Sequence, residues 1–123
     1  MKDNLYTVTS MDRERSTVEV ALCPDCVIYK AHFPERPVTP GVCIIQMAVE
    51  LLGLLHGCEY TLMEVSAAKF LRIISPLDML SVTCVFKAAV SSEQDGTVKA
   101  GVSVLEPTSG QACAKLTLLC RAS

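Results

Sequence analysis

His32 sits in a segment stiffened by three prolines, Pro34, Pro37 and Pro40, nine residues ahead of Gly41, which falls in the first turn of an expected helix. Imidazole titrates closest to neutral pH, so a rigidly held His32 is a candidate general base. At the start of a helix the first backbone N–H groups have no intrahelical acceptor and the helix dipole is positive. The amides of Gly41 and Val42 can therefore polarise a ligand carbonyl, and Gly41, lacking a Cβ, would let that ligand approach closely. Farther along the helix, Gln46, Glu50, Gly53 and Gly57 follow at spacings of four, three and four. That period places the two polar side chains one turn apart on one line.

The elements that must hold these residues can be read from the pattern. Thr39 can cap the helix, and Pro40 suits its first position, whose N–H would be unpaired anyway. The helix is expected to run to His56, with Gly57 as its left-handed terminator. Apart from the polar stripe it is apolar on all sides, from Val42 to Leu55, which marks a helix enclosed by the rest of the chain. Thr17 to Leu22 alternates as a half-buried strand, and a weaker strand covers Leu5 to Thr9. After the helix come strand-like runs near Thr61–Ile73, Asp78–Val90, Thr97–Leu105 and Gln111–Arg121. Their links are short and turn-like, which suits antiparallel neighbours. One enclosed helix with five or six antiparallel strands is economically packed as an α+β hot-dog fold, a curved antiparallel sheet wrapped around one long central helix. A single domain over residues 1–123 is expected.

Composition narrows the function classes. Half of the chain is hydrophobic with no Trp, unusually apolar for 123 residues, so part of that surface is expected to be covered by a second copy in a homodimer. A net charge of -2 gives no footprint for nucleic acid, and no run of basic residues suits a membrane surface. No apolar run reaches the roughly 18 residues of a membrane span, and the first residues lack the build of a secretory signal, so a cytoplasmic location is expected. Seven cysteines scattered among apolar residues fit a reducing compartment. Cys23-Pro24-Asp25-Cys26 has no second pair to complete a zinc site and no visible helix opening for a redox dithiol, so it reads as a turn at a strand end.

The segment Ala31-His32-Phe33-Pro34-Glu35-Arg36-Pro37-Val38-Thr39-Pro40-Gly41-Val42 resembles the active-site segment of the 3-hydroxyacyl-[acyl carrier protein] dehydratases, GHFPGRPIMPGV followed by a helix. Downstream, Lys69, Phe70, Arg72, Pro76, Asp78 and Leu80 resemble that family's KFRRPVVPGDQL segment, in order and at a compatible distance. The resemblance implies reversible dehydration of a 3-hydroxyacyl thioester linked to acyl carrier protein or to CoA, with no cofactor and no metal. In the family a His removes the C2 proton, a carboxylate on the central helix of the other protomer assists loss of the hydroxyl, and a Gly amide holds the thioester carbonyl. By motif position those roles fall on His32, position 46 and Gly41, with Phe33, Pro40 and Val42 beside the substrate.

Position 46 departs from the pattern: the family has Glu, or Asp in the isomerising branch, and this chain has Gln46. An amide can orient a hydroxyl or a water but has no proton to give as a general acid. Many members read EAMAQ here, whereas Gln46-Met47-Ala48-Val49-Glu50 has the two polar residues exchanged. Either Glu50 supplies the carboxylate from one turn deeper, about 5 to 6 Å along the axis, or Gln46 and Glu50 form a hydrogen-bonded pair near the dimer interface. The departure keeps two other readings in play, a hot-dog thioesterase and a non-catalytic subunit that binds an acyl chain or its carrier. Lys30, Arg36, Lys69 and Arg72 could face an acidic carrier protein. His56 reads as structural at the helix end, and Asp78 as a turn residue.

Overall fold

The computed structural model describes residues 5–31, 35–92 and 96–122. The elements, in chain order, are β1 (Tyr6–Asp12), β2 (Thr17–Leu22), a short helix α1 (Val27–Ala31), the long helix α2 (Gly41–His56), β3 (Tyr60–Phe70), β4 (Ser81–Ser92), β5 (Thr97–Leu105) and β6 (Ala112–Ala122). Among the described residues six strands join one antiparallel sheet in the order β1-β2-β4-β5-β6-β3. The chain leaves the sheet after β2, builds α1 and α2, and re-enters at the far edge as β3. The long helix is thereby laid across the inner face, giving the α+β hot-dog arrangement expected from the strand pattern.

Alternation decides which side chains meet the helix. Val18, Val20 and Leu22 of β2, Val82, Cys84 and Phe86 of β4, and Val98, Ala100, Val102 and Val104 of β5 are all buried. All of these except Val98 join Ile44, Met47, Ala48, Leu51 and Leu52 of α2 in one aliphatic core. In β6 the alternation slips once. Cys113 and Ala114 are both buried because the β5–β6 register shifts between Val104 and Leu105, the local signature of a bulge.

The edge strand β3 behaves differently. From Met63 to Phe70 every residue is exposed, on both faces, although the run contains Met63, Val65 and Phe70. Leu71 and Ile73 just beyond it are exposed as well. Among the described residues no helix is long and apolar enough to cross a membrane.

Three sequence expectations change. The cysteine pair does form a turn, with the Cys26 amide donating to the Cys23 carbonyl at 3.0 Å, but α1 opens directly after it. Asp78 lies in the turn before β4, yet the Ser75 hydroxyl and carbonyl hold that turn, accepting from Leu77 at 3.3 Å and from Asp78 and Met79 at 3.0 Å. The long helix is not enclosed on every side: Val42, Gln46 and His56 are exposed.

Candidate active site

The start of α2 is fixed by a hydrogen bond that the sequence did not suggest. The Tyr29 hydroxyl on α1 shares a buried hydrogen bond of 2.8 Å with the Thr39 hydroxyl, and the Thr39 amide donates to the Ile74 carbonyl at 2.8 Å. Burial, more than any neighbouring charge, pushes the Tyr29 phenol above its ordinary pKa. Thr39, expected as the helix cap, is thus committed elsewhere. Pro40 takes the N-cap position in extended conformation (φ -61°, ψ 147°), and its carbonyl accepts from the amides of Cys43 and Ile44 at 3.0 and 3.1 Å. Pro40 therefore precedes the helix and Gly41 opens it. The Tyr29–Thr39 bond closes the proline-rich segment at both ends. His32 and Phe33, the residues of that segment expected to do chemistry and to touch substrate, lie outside the described residues.

Gly41 lines a groove of about 280 Å³ with Val38, Thr39, Ile44, Phe70, Arg72 and Ile73. The expectation that its missing Cβ admits a ligand needs correction, because a Cβ there would stand 2.9 Å from Cζ of Phe70. The aromatic ring already fills that approach, so a ligand must reach the helix start past Phe70 or from another direction. Val42, one residue on, is 75% exposed and lines neither groove. Arg72 is half-exposed and engaged with Glu106 at 3.5 Å and with Gln111 at 3.1 Å.

A larger groove of about 720 Å³ runs along the other side of α2. Its floor is the stripe read from the sequence, Gln46, Glu50, Gly53 and Gly57, with Val49 and Leu54 beside it. Arg13, in the β1–β2 turn, reaches over to the Leu54 carbonyl at 3.5 Å, and Cys58, Glu59 and Tyr60 close the far end. The helix ends as expected, with Gly57 left-handed at φ 71° and its amide donating to the Gly53 carbonyl. Gly53 is small for a different reason than the groove. A Cβ there would lie 2.6 Å from the Cys58 carbonyl oxygen, so only glycine allows the chain to fold back so tightly. His56 Nδ1 lies 2.6 Å from the Tyr60 hydroxyl, which supports its structural reading.

Gln46 and Glu50 do form a pair. Gln46 Nε2 donates to Glu50 Oε2 at 3.2 Å, and the hydroxyl of Tyr6 on β1 donates to Glu50 Oε1 at 2.7 Å. Tyr6 is fully buried, Glu50 partly buried and Gln46 exposed, so the chain of polar groups runs from the core to the groove floor. Sequence reasoning missed Tyr6: it lies 44 residues from its partner in an apparently ordinary strand, and no local pattern could have paired them.

The two grooves share no residue. Gly41 and Gln46 are five residues apart on one helix, which turns them about 140° from each other. Within one chain, the amide expected to hold a carbonyl and the polar pair expected to face a hydroxyl lie on different sides of α2.

Residues 8–101 match the ApeI-like family, described as ApeI dehydratase. The chain is 27% identical over 95 residues to the 3-hydroxyacyl-[acyl-carrier-protein] dehydratase FabZ of Burkholderia cenocepacia, covering 63% of this chain and 61% of that protein. It is 35% identical over 65 residues to FabZ of Rickettsia rickettsii, covering 46% of this chain and 45% of the relative. It therefore spans less than two thirds of the length of these relatives. Among solved structures, the dehydratase heterocomplex ApeI:P from Xenorhabdus doucetiae superimposes with a TM-score of 0.63 at 17% identity, covering 94% of this chain and 98% of that one. A hypothetical thioesterase with coenzyme A from Streptococcus pneumoniae gives 0.65 at 14% identity, covering 99% and 88%. At such identities the structural matches speak for the hot-dog fold alone. The sequence match extends over more than half of the chain, and on that ground this protein belongs to the ApeI-like dehydratase family.

Proposed function

We propose that this chain dehydrates a 3-hydroxyacyl thioester, carried on acyl carrier protein or CoA, to the trans-2-enoyl thioester in fatty-acid or polyene-type biosynthesis. The reaction takes place at a site shared by two copies of the chain. The observation that supports this reading is that Gly41 lines one groove while Gln46 and Glu50 line another, on different sides of α2. A homodimer unites them, with His32, Phe33, Pro40, Gly41 and Val42 from one protomer and Gln46 and Glu50 from its partner. His32 removes a C2 proton while the Gly41 amide stabilises the negative charge that develops on the thioester oxygen. The C3–O bond breaks as the hydroxyl, oriented by Gln46 and Glu50, takes up the proton that His32 carried away from C2 and leaves as water, and the C2–C3 double bond forms.

The dimer has a natural seam in β3. An edge strand that exposes Met63, Val65 and Phe70 on both faces offers unpaired backbone groups and apolar cover to a twofold-related copy of itself. Lys69 on the same strand and Arg72, which lines the groove beside Gly41, suit an acidic carrier arriving at that seam. A second reading draws on Gln46 standing where the family has a carboxylate: the chain serves as a non-catalytic or partner-dependent subunit beside a homologue. The related ApeI:P assembly is itself described as a heterocomplex.

Purified protein incubated with a 3-hydroxyacyl thioester, and separately with the matching enoyl thioester, tests the reading. Interconversion of the two without thiol release is the expected result. Thiol release without alkene formation would make the protein a thioesterase, and tight carrier binding without turnover would make it a subunit.

A further inference from the structure

We propose that Tyr6 and Glu50 are positioning residues that fix the Gln46 amide with its NH2 turned inward, so that its carbonyl oxygen faces the groove as an acceptor for the substrate's 3-hydroxyl. This deepens the dehydratase reading and rests on it for the identity of the hydroxyl. The argument starts at the buried end. Tyr6 has no exposed surface, and a buried phenol needs a partner, which Glu50 Oε1 provides at 2.7 Å. That bond anchors the carboxylate to β1 and leaves Oε2 for Gln46. A carboxylate offers only lone pairs, so the arm of the Gln46 amide that meets it must be the donor, Nε2, as found at 3.2 Å. The remaining arm of the amide is its carbonyl oxygen, and Gln46 is the exposed member of the chain on the groove floor. An exposed glutamine free of such a partner would present either end with little preference. Here the core sets the choice, and a side chain unable to give a proton still distinguishes a ligand carrying a hydroxyl from one that lacks it.

The test uses two unreactive ligands, a 3-hydroxyacyl pantetheine amide and the same amide without the hydroxyl, with wild type, Tyr6→Phe and Glu50→Gln. Wild type should bind the hydroxylated ligand about tenfold more tightly, the ratio that one hydrogen bond supplies. Both variants should lose this preference, and Tyr6→Phe, which lies buried behind the groove, should still bind the plain ligand as wild type does. An independent readout is solvent exchange of the Gln46 side-chain amide by nitrogen-15 NMR, slow in wild type and fast in Glu50→Gln. Equal preference for the hydroxyl in all three proteins, or a Gln46 amide that exchanges equally fast with and without Glu50, would overturn the positioning role. Neither result bears on whether the protein turns over thioesters. Failure of the dehydratase reading would show in the turnover assay instead, with the Gln46 amide still protected.

Discussion

The hydroxyls of Tyr29 and Thr39 lie 2.8 Å apart in the interior, and the segment they close carries His32 between them. One bond thus ties α1 to the start of α2 and sets the span that the proline-rich segment must bridge. Replacing Tyr29 by Phe leaves the Thr39 hydroxyl buried without that partner, a loss of about 1 to 3 kcal/mol. Tyr29→Phe should lower the denaturation midpoint measurably. It should also reduce turnover of the hydroxyacyl thioester by more than the stability loss accounts for, because the bond ties α1 to the start of α2, where Gly41 lies. Unchanged kinetics at a lower midpoint would confine the bond to a stabilising role.

Gly41→Ala places a methyl group 2.9 Å from the edge of the Phe70 ring. The ring is half-exposed and can yield, so the fold should survive with a small shift in melting temperature. Turnover should fall by at least about tenfold, since small displacements at a reacting centre are costly. Pairing the change with Phe70→Leu should restore part of the loss if the clash is its cause. Steady-state kinetics on the single and double variants decide the matter.

Gln46→Glu would set a second carboxylate about where Nε2 now donates to Glu50 at 3.2 Å. Two carboxylates so close share a proton, which raises the pKa of the pair and supplies an acid at the groove. The variant should dehydrate faster than wild type, and the gain should vanish as pH rises and that proton is lost. The exchange variant Gln46→Glu/Glu50→Gln leaves a single carboxylate beside an amide, so it should lose the part of the gain that depends on the shared proton. A pH profile without the added alkaline limb would contradict the shared proton.

Burial raises the Tyr60 phenol from 10.0 to about 12 and pushes the Tyr29 phenol upward as well. Their folded pKa values exceed those of the unfolded chain, so the neutral phenols stabilise the fold below about pH 10. That contribution is lost as pH climbs from 10 toward 12. Denaturant midpoints should fall across this window, and less steeply for Tyr60→Phe, with tyrosinate absorbance reporting the late titration.

The thiols offer a check on the large groove. Cys23 and Cys58 are partly exposed, whereas the other five cysteines are buried, and burial pushes the Cys84 thiol up to about 12. Alkylation at mildly alkaline pH should therefore modify Cys23 and Cys58 first. Cys58 lines the groove with Gln46 and Glu50, so an acyl ligand seated there should slow its modification and spare that of Cys23.

What the sequence disclosed follows from the range of its patterns. The stripe Gln46, Glu50, Gly53 and Gly57 was legible because helical periodicity is local, and it became the floor of the large groove. The strands were legible from alternation, to within a few residues at their ends. Tyr6 was not, since its significance comes from a partner 44 residues away. Phe70 could be matched to a motif, but its place over Gly41 depends on how β3 ends beside the helix. The one-turn helix α1 left no periodic trace, because Val27–Ala31 is too short to show one. Capping by Thr39 was a sound local inference that a tertiary contact overrode, as Tyr29 claimed the hydroxyl first.

The central claim is that one working site draws His32 from one protomer and Gln46 from its partner. Co-expression of His32→Ala with Gln46→Leu tests it most directly, because half of the mixed population would be heterodimers holding one site intact. The mixture should regain about a quarter of wild-type dehydration while each variant alone stays near zero, as expected for twofold sharing. A mixture as inactive as its two parents would contradict the shared site.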